Sequence, residues 1–215
     1  MELQTESYLA QVERWPKTGR HILAQFDANS IVVYQAYNPE IGRFAAENGY
    51  FGGDGFSFNR MSWIKPNFLW MMYRSGWGTK PGQEIVLAIW LKRSGFDSIL
   101  SEAVHSTFVP GIYETEANWK KSLAQSSVRL QWDPDHHPTG TKLERKAIQL
   151  GLRGKVLQDY AREYVIDIQD ISVFVRNQHA HVENGQYSGL MTPREEIYPV
   201  TDADTIIRLG LSTPA

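Results

Sequence analysis

Between residues 55 and 83 the chain places Arg60, Lys65, Arg74 and Lys80 with no acid among them, although its 22 Lys+Arg and 24 Asp+Glu leave a net charge of -2. Trp63, Trp70, Tyr73 and Trp77 are interleaved with those bases. Guanidinium and ammonium groups take phosphate oxygens and aromatic faces take a flat base, so this alternation suits a nucleotide-like anion, either NAD or an RNA terminus. A structural role competes for part of the set. Trp70, Met71 and Met72 lie in a run that is apolar all round and read as core, and the four bases could equally be ion-paired to acids elsewhere.

A second polar group stands at the end of an apolar run, in Tyr34-Gln35-Ala36-Tyr37, directly before the helix start Asn38-Pro39-Glu40. Polar side chains at a strand end beside a helix N-terminus suit an anion or a ribose; in the alternative, Tyr34 is core while Gln35 and Tyr37 alternate to the other face. Gln149, polar within the apolar residues 147–152, reads most simply as solvent-facing. His136-His137 and His179-Ala180-His181 have no third ligand at a metal spacing, so no metal site is expected and these histidines read as solvated. With no cysteine, thiolate zinc sites and cysteine nucleophiles are excluded, and no phosphate-loop, dinucleotide or nucleophile-elbow motif is present.

The elements that must position these residues are partly legible. Residues 3–14 suit a peripheral amphipathic helix stopped by Trp15-Pro16, and residues 21–26 and 31–37 a hairpin turning at 27–30. Asn38 and Gly49 bracket one helix, and Lys65-Pro66 and Gly76 bracket a second over 67–75. The uninterrupted apolar residues 85–91 read as a central strand covered on both faces. Helices are expected at 95–104, 114–126 and 154–162. Strands are expected at 128–132, ended by Asp133-Pro134-Asp135, and at 147–152, 164–168 and 171–175. The spacing lacks the regular alternation of a doubly wound sheet, so the fold class is α+β, a single mixed sheet with packed helices.

The chain has 215 residues, 42% hydrophobic and 21% charged, which bounds it to one folded domain with short appendages: an N-terminal helical arm (1–19), a core (20–182) and a polar C-terminal tail (183–215). With no secretory signal and no run of 18 apolar residues, a cytoplasmic protein with no membrane partner is expected.

The joint pattern of residues 31–37, 61–66, 68–76, 80–84, 131–134 and 148–152 resembles the domain-of-unknown-function family numbered four-two-nine-one, over roughly residues 20–182. That resemblance implies no activity. A more distant one, in the strand, Tyr-x-x-Tyr, helix and Gly-aromatic order of residues 33–51, is to the first segment of ADP-ribosyltransferases. It implies an ADP-ribosyltransferase-like fold with NAD as ligand, with Ser62 and Gln149 at the second and third motif positions. Gln35 then stands in place of a histidine and Gln149 in place of an acid. A glutamine can hold a ribose hydroxyl or an amide but cannot act as a base.

These readings converge on a cleft lined by Gln35, Tyr37, Arg60, Ser62, Trp63, Lys65, Arg74, Lys80 and Gln149. Arg60, Lys65 and Arg74 would hold phosphates, Tyr37 or Trp63 would stack, and Gln35 with Gln149 would orient a ribose or amide. Whether it is an enzyme, acting by transfer or hydrolysis at a ribose, stays open, because no acid or nucleophile stands among these residues. The alternative is a non-catalytic RNA-binding or protein-interaction module using the same side chains as a surface.

Overall fold

The computed structural model describes residues 1–212. In chain order it holds β1 (Thr5–Ser7), α1 (Tyr8–Arg14), β2 (Leu23–Ala24), β3 (Ser30–Tyr37), α2 (Pro39–Asn48), β4 (Ser62–Ile64), α3 (Phe68–Ser75), β5 (Ile85–Lys92), α4 (Arg93–Ser101), β6 (Ala103–His105) and α5 (Glu116–Gln125). There follow β7 (Val128–His136), β8 (Lys142–Leu152), α6 (Gly154–Asp159), a π-turn (Tyr160–Tyr164), β9 (Val165–Asp170), α7 (Ser172–Glu183), β10 (Met191–Pro193), β11 (Glu196–Ile197) and α8 (Ala203–Leu209). The class is α+β. In place of one mixed sheet there are two principal ones, β3-β5-β9 and β4-β8-β7-β6, with the short pairs β1-β10 and β2-β11 beside them.

Strand alternation explains the layering. Along β3 and β5, Ile31, Val33, Leu87, Ile89 and Leu91 enter one core, while Val32, Tyr34, Val86, Ala88 and Trp90 enter another on the opposite face. The first core is closed by Ile64 of β4, Val128 and Leu130 of β7, and Ile148, Leu150 and Leu152 of β8, so the two sheets share it. The second is closed by Tyr8 of α1, Phe68, Leu69, Met71 and Met72 of α3, and Val175 of α7. β5 is the middle strand, hydrogen-bonded to β3 and β9 and buried on both faces, which is why its sequence is continuously apolar.

The two helices beside the site begin and end at the expected signals. The Asn38 side chain accepts from Ile41 N at 3.0 Å, and Gly49 closes α2 with φ 74. The Asn67 side chain accepts from Trp70 N at 2.7 Å, and Gly76 closes α3 with φ 58. A glycine is needed at both stops because side chains disfavour that left-handed backbone.

The expected hairpin is present in short form: Asp27 N donates to Ser30 O at 2.9 Å and Val32 N to Gln25 O at 2.8 Å, and Phe26 bridges Ile31 antiparallel, while β2 just before it takes its ladder partner from β11. β7 does not end before Asp133. It runs to His136, and Pro134 is tolerated because the ladder bulges between Pro134 and His136. Residues 171–175 are not a strand. They open α7, where Ile171 and Val175, four apart, share the face turned to the second core. Tertiary burial there overrides the β-branched composition.

The terminal segments are not arms. β1 pairs antiparallel with β10, and Gln11, fully buried, donates to Thr192 Oγ1 at 2.8 Å and accepts from Glu195 N at 2.8 Å. Glu195 in turn accepts from Phe68 N at 2.6 Å and Asn67 Nδ2 at 3.0 Å, so a side chain from the expected tail caps α3. Burial holds the Glu195 carboxyl well above the usual carboxylate range. Arg145, paired with Asp135 in the interior, donates to Pro16 O at 2.7 Å and lies over the Trp15 ring, fastening the N-terminal segment to β7 and β8. Leu190, with no exposed surface, fills the second core between these segments. Leu190→Ala is therefore expected to destabilise the chain by about 2–5 kcal/mol in urea unfolding. A change within about 0.5 kcal/mol would show that the C-terminal segment is not part of the folded unit.

Candidate functional site

β3 and β4 touch at one antiparallel bridge, Tyr34 to Lys65, where Tyr34 N donates to Lys65 O at 2.7 Å and Lys65 N to Tyr34 O at 3.2 Å. The backbone ladder goes no further. Beyond the bridge the Gln35 side chain takes over, its Nε2 donating to Trp63 O at 3.0 Å and to Ser62 Oγ at 2.9 Å. Its Oε1 accepts from Tyr160 Oη at 2.7 Å, and Tyr37 Oη lies 2.7 Å from the same Ser62 Oγ. The seam is thus sewn by side chains, and a cavity of about 440 Å³ opens beside it.

Eight of the nine candidate residues line that cavity: Gln35, Tyr37, Arg60, Ser62, Trp63, Lys65, Arg74 and Gln149. Lys80 does not. Its Nζ donates to Tyr73 O at 3.3 Å and Arg74 O at 2.8 Å, capping the negative end of α3. Gln149 does not simply face bulk solvent: Ile148 and Leu150 point into the core, so Gln149 stands on the opposite face of β8, which forms a cavity wall. The alternation also carries Gln131 of β7, the register partner of Gln149, to the same wall. Sequence reading missed Gln131, although its place one residue after Leu130 in an apolar-alternating strand was a usable signal. It also missed Asn38 and Ile41 at the N-terminal turn of α2, Met61 and Met71, and the Pro81-Gly82-Gln83 rim.

The electrostatics are one-sided. The lining contains three bases and no acid, and among the described residues none of Arg60, Lys65 and Arg74 takes part in an ion pair. Arg60 and Arg74 are exposed at the rim, while Lys65 is 4% exposed. Burial, with a further contribution from the Arg74 charge, brings the Lys65 ammonium down to about 8; Asp133 opposes the shift. Asp133, two residues on from Gln131 and on the same face of β7, is only partly buried and accepts from both glutamines, from Gln131 Nε2 at 2.9 Å and Gln149 Nε2 at 2.7 Å.

The polar groups divide into occupied and free. Gln35 is occupied by protein, and so is Ser62 Oγ. The Tyr37 ring packs on Phe51 and Phe56 at 5.6 and 6.2 Å between centroids, and burial pushes its hydroxyl up to about 12. Trp63 is half-buried and lies over Gly151, its register partner: a Cβ at Gly151 would come within 2.6 Å of Met61 Sδ and 3.0 Å of Trp63 Cε2. The missing side chain lets the indole and the thioether rest on the strand.

The histidines are not solvated loop residues. His136 is 1% exposed and stacks on Tyr73 at 3.6 Å between centroids, while His179 stacks on Trp77 at 5.3 Å.

Residues 21–198 match the DUF4291 family, whose description is a domain of unknown function, and the chain belongs to that family. No curated protein matches it. The matched span passes the expected boundary at 182 and takes in β10 and β11, in keeping with the packing of those strands. Among the described residues no helix is long and apolar enough to cross a membrane.

Lys65→Met is expected to stabilise the empty protein by up to about 3 kcal/mol below pH 8. There the lysine is charged in both the folded and unfolded chain, and the folded state bears the desolvation. Between pH 8 and the ordinary value of 10.5 the folded chain sheds the proton first, so wild-type stability rises with pH and the advantage of methionine shrinks. Urea unfolding from pH 6 to 10.5 checks this; a difference independent of pH would mean that Lys65 titrates normally.

Proposed function

We propose that the cavity binds a nucleotide-like anion, with Lys65 and Arg74 on the phosphates, Arg60 at the rim and the Trp63 face against a flat ring. The observation that carries the reading is that three bases, one of them buried and none in an ion pair among the described residues, meet in one cavity whose described lining has no acid. A buried ammonium without a partner weakens the fold, and a bound anion offsets that by supplying the missing charge. α2 adds its N-terminal turn to the same cavity, so its backbone dipole favours a negative ligand there. The volume of about 440 Å³ suits a mononucleotide or one half of a dinucleotide such as NAD. A cytoplasmic setting, where such ligands are abundant, fits the cysteine-free sequence.

An ADP-ribosyltransferase-like role, transfer or hydrolysis at a ribose, is the catalytic form of the same reading. Asp133 is the acid nearest its needs, but both of its oxygens already accept from glutamine amides. Binding is therefore better supported than catalysis. The placement of the aromatic residues also favours a cleft over an RNA-binding surface, since Trp70 and Trp77 are buried and only Tyr73 of the ring-bearing residues on α3 stays exposed, beside Arg74 and Lys80.

Calorimetry with AMP, NAD, ATP and a short single-stranded RNA tests the reading. Arg74→Ala and Lys65→Ala are each expected to weaken mononucleotide binding at least tenfold, with a salt dependence no steeper than one phosphate group requires. RNA binding that falls steeply with salt and is spread over many bases would favour the surface alternative. No binding of any of the four would overturn both.

A further inference from the structure

Gln131 and Gln149 are register partners across the β7–β8 ladder, and both line the cavity. Their amide nitrogens are held by one carboxylate, Gln131 Nε2 on Asp133 Oδ1 and Gln149 Nε2 on Asp133 Oδ2. An ionised carboxylate only accepts hydrogen bonds, so it fixes the flip of both amides: turning either one would set its oxygen against an oxygen. Among the described residues neither glutamine Oε1 receives a hydrogen bond from the protein, and neither is sealed from solvent. The wall therefore offers a pair of carbonyl acceptors whose polarity is set by the carboxylate beside them, with the donor-only Lys65 and Arg74 in the same lining.

A ligand that fills such a cavity matches it by presenting anionic oxygens to the bases and hydrogen-bond donors to the glutamines. A hydroxyl pair on one sugar face meets the second demand and a phosphate on the same sugar meets the first. We propose that Gln131 and Gln149 take the 2′ and 3′ hydroxyls of a ribonucleotide, and that Asp133 is the positioning residue that makes the site select ribose over sugars lacking those hydroxyls. This rests on the anion reading above. It assigns to Gln131 the part that Gln35 cannot play with its amide already occupied, and it has Asp133 act through the two amides.

The experiment is the ratio of calorimetric affinities for AMP and 2′,3′-dideoxy-AMP, which carry the same base and phosphate. Wild type is expected to favour AMP at least tenfold, because the dideoxy ligand leaves two acceptors unpaired. Asp133→Asn presents one donor and one acceptor to the amides and frees one of them to turn, so the ratio is expected to fall below about threefold, while Asp133→Glu keeps most of it. Gln149→Leu, tested separately, is expected to lower AMP affinity and leave dideoxy-AMP affinity within about threefold. Removing the Asp133 charge beside Lys65 changes the affinity for both ligands alike, and so does any general loosening of the fold; the ratio is insensitive to either. Equal binding of the two nucleotides by wild type would overturn this inference and leave the anion reading standing, as would a ratio unchanged in both Asp133→Asn and Gln149→Leu. Failure of both nucleotides to bind would overturn both readings.

Discussion

The cavity depends on one constraint: β3 and β4 share a single backbone bridge and are then held apart at a fixed spacing by Gln35. Two adjacent antiparallel strands would normally continue their ladder and close the gap between them. Here a buried amide reaches across, occupying Trp63 O and Ser62 Oγ with its donor side and Tyr160 Oη with its acceptor side. A buried side-chain amide so placed is nearly saturated, which makes the junction rigid and costly to disturb. The same bridge puts Lys65 one residue past the end of β4, on the cavity side of the seam, while Ile64 turns into the shared core.

What stands around the cavity is harder to explain by stability than by binding. Elsewhere the chain treats interior charge conservatively: Arg145 and Asp135 are paired, and Glu195, whose carboxyl is shifted toward its neutral form, caps a helix. Among the described residues Lys65 is the buried base that combines the lack of an ion-pair partner with a like-charged neighbour, Arg74. Such an arrangement weakens the empty protein, and a site for an anion is the physical circumstance in which it becomes favourable.

The legible parts of the sequence were those encoded within a few residues. Asn38 and Gly49, and Asn67 and Gly76, announce α2 and α3 because capping is a local interaction. The unbroken apolar run of β5 announces burial on both faces. The basic segment pointed to the cavity because Arg60, Lys65 and Arg74 all lie within 15 residues, two of them before one short helix and the third in its last turn. What failed was decided by distance along the chain. Gln11 lay in the expected arm and Thr192 and Glu195 in the expected tail, yet Gln11 bonds to both across more than 180 residues and Glu195 reaches the start of α3 across 127 and 128. Ile171 and Val175 have strand composition, but only the presence of the second core makes them one face of a helix. Lys80 has the composition of its neighbours and a different task, because it comes after the turn that ends α3 and can reach back to the carbonyls. Gln131 and Asp133 lay in a segment read as strand end and breaker, and the extra turn of ladder that Pro134 permits by bulging gives them their roles.

The central claim is that Lys65 is a buried, unpaired ammonium awaiting an anion, and its own titration tests it most directly. Selective isotope labelling of lysine, with Lys65→Met to assign the signal, would follow the Lys65 side chain by nuclear magnetic resonance from pH 6 to 11, with and without AMP. The account expects a midpoint near 8 in the free protein and a clear upward move once the nucleotide is bound. A midpoint at the ordinary 10.5, unchanged by the nucleotide, would contradict it.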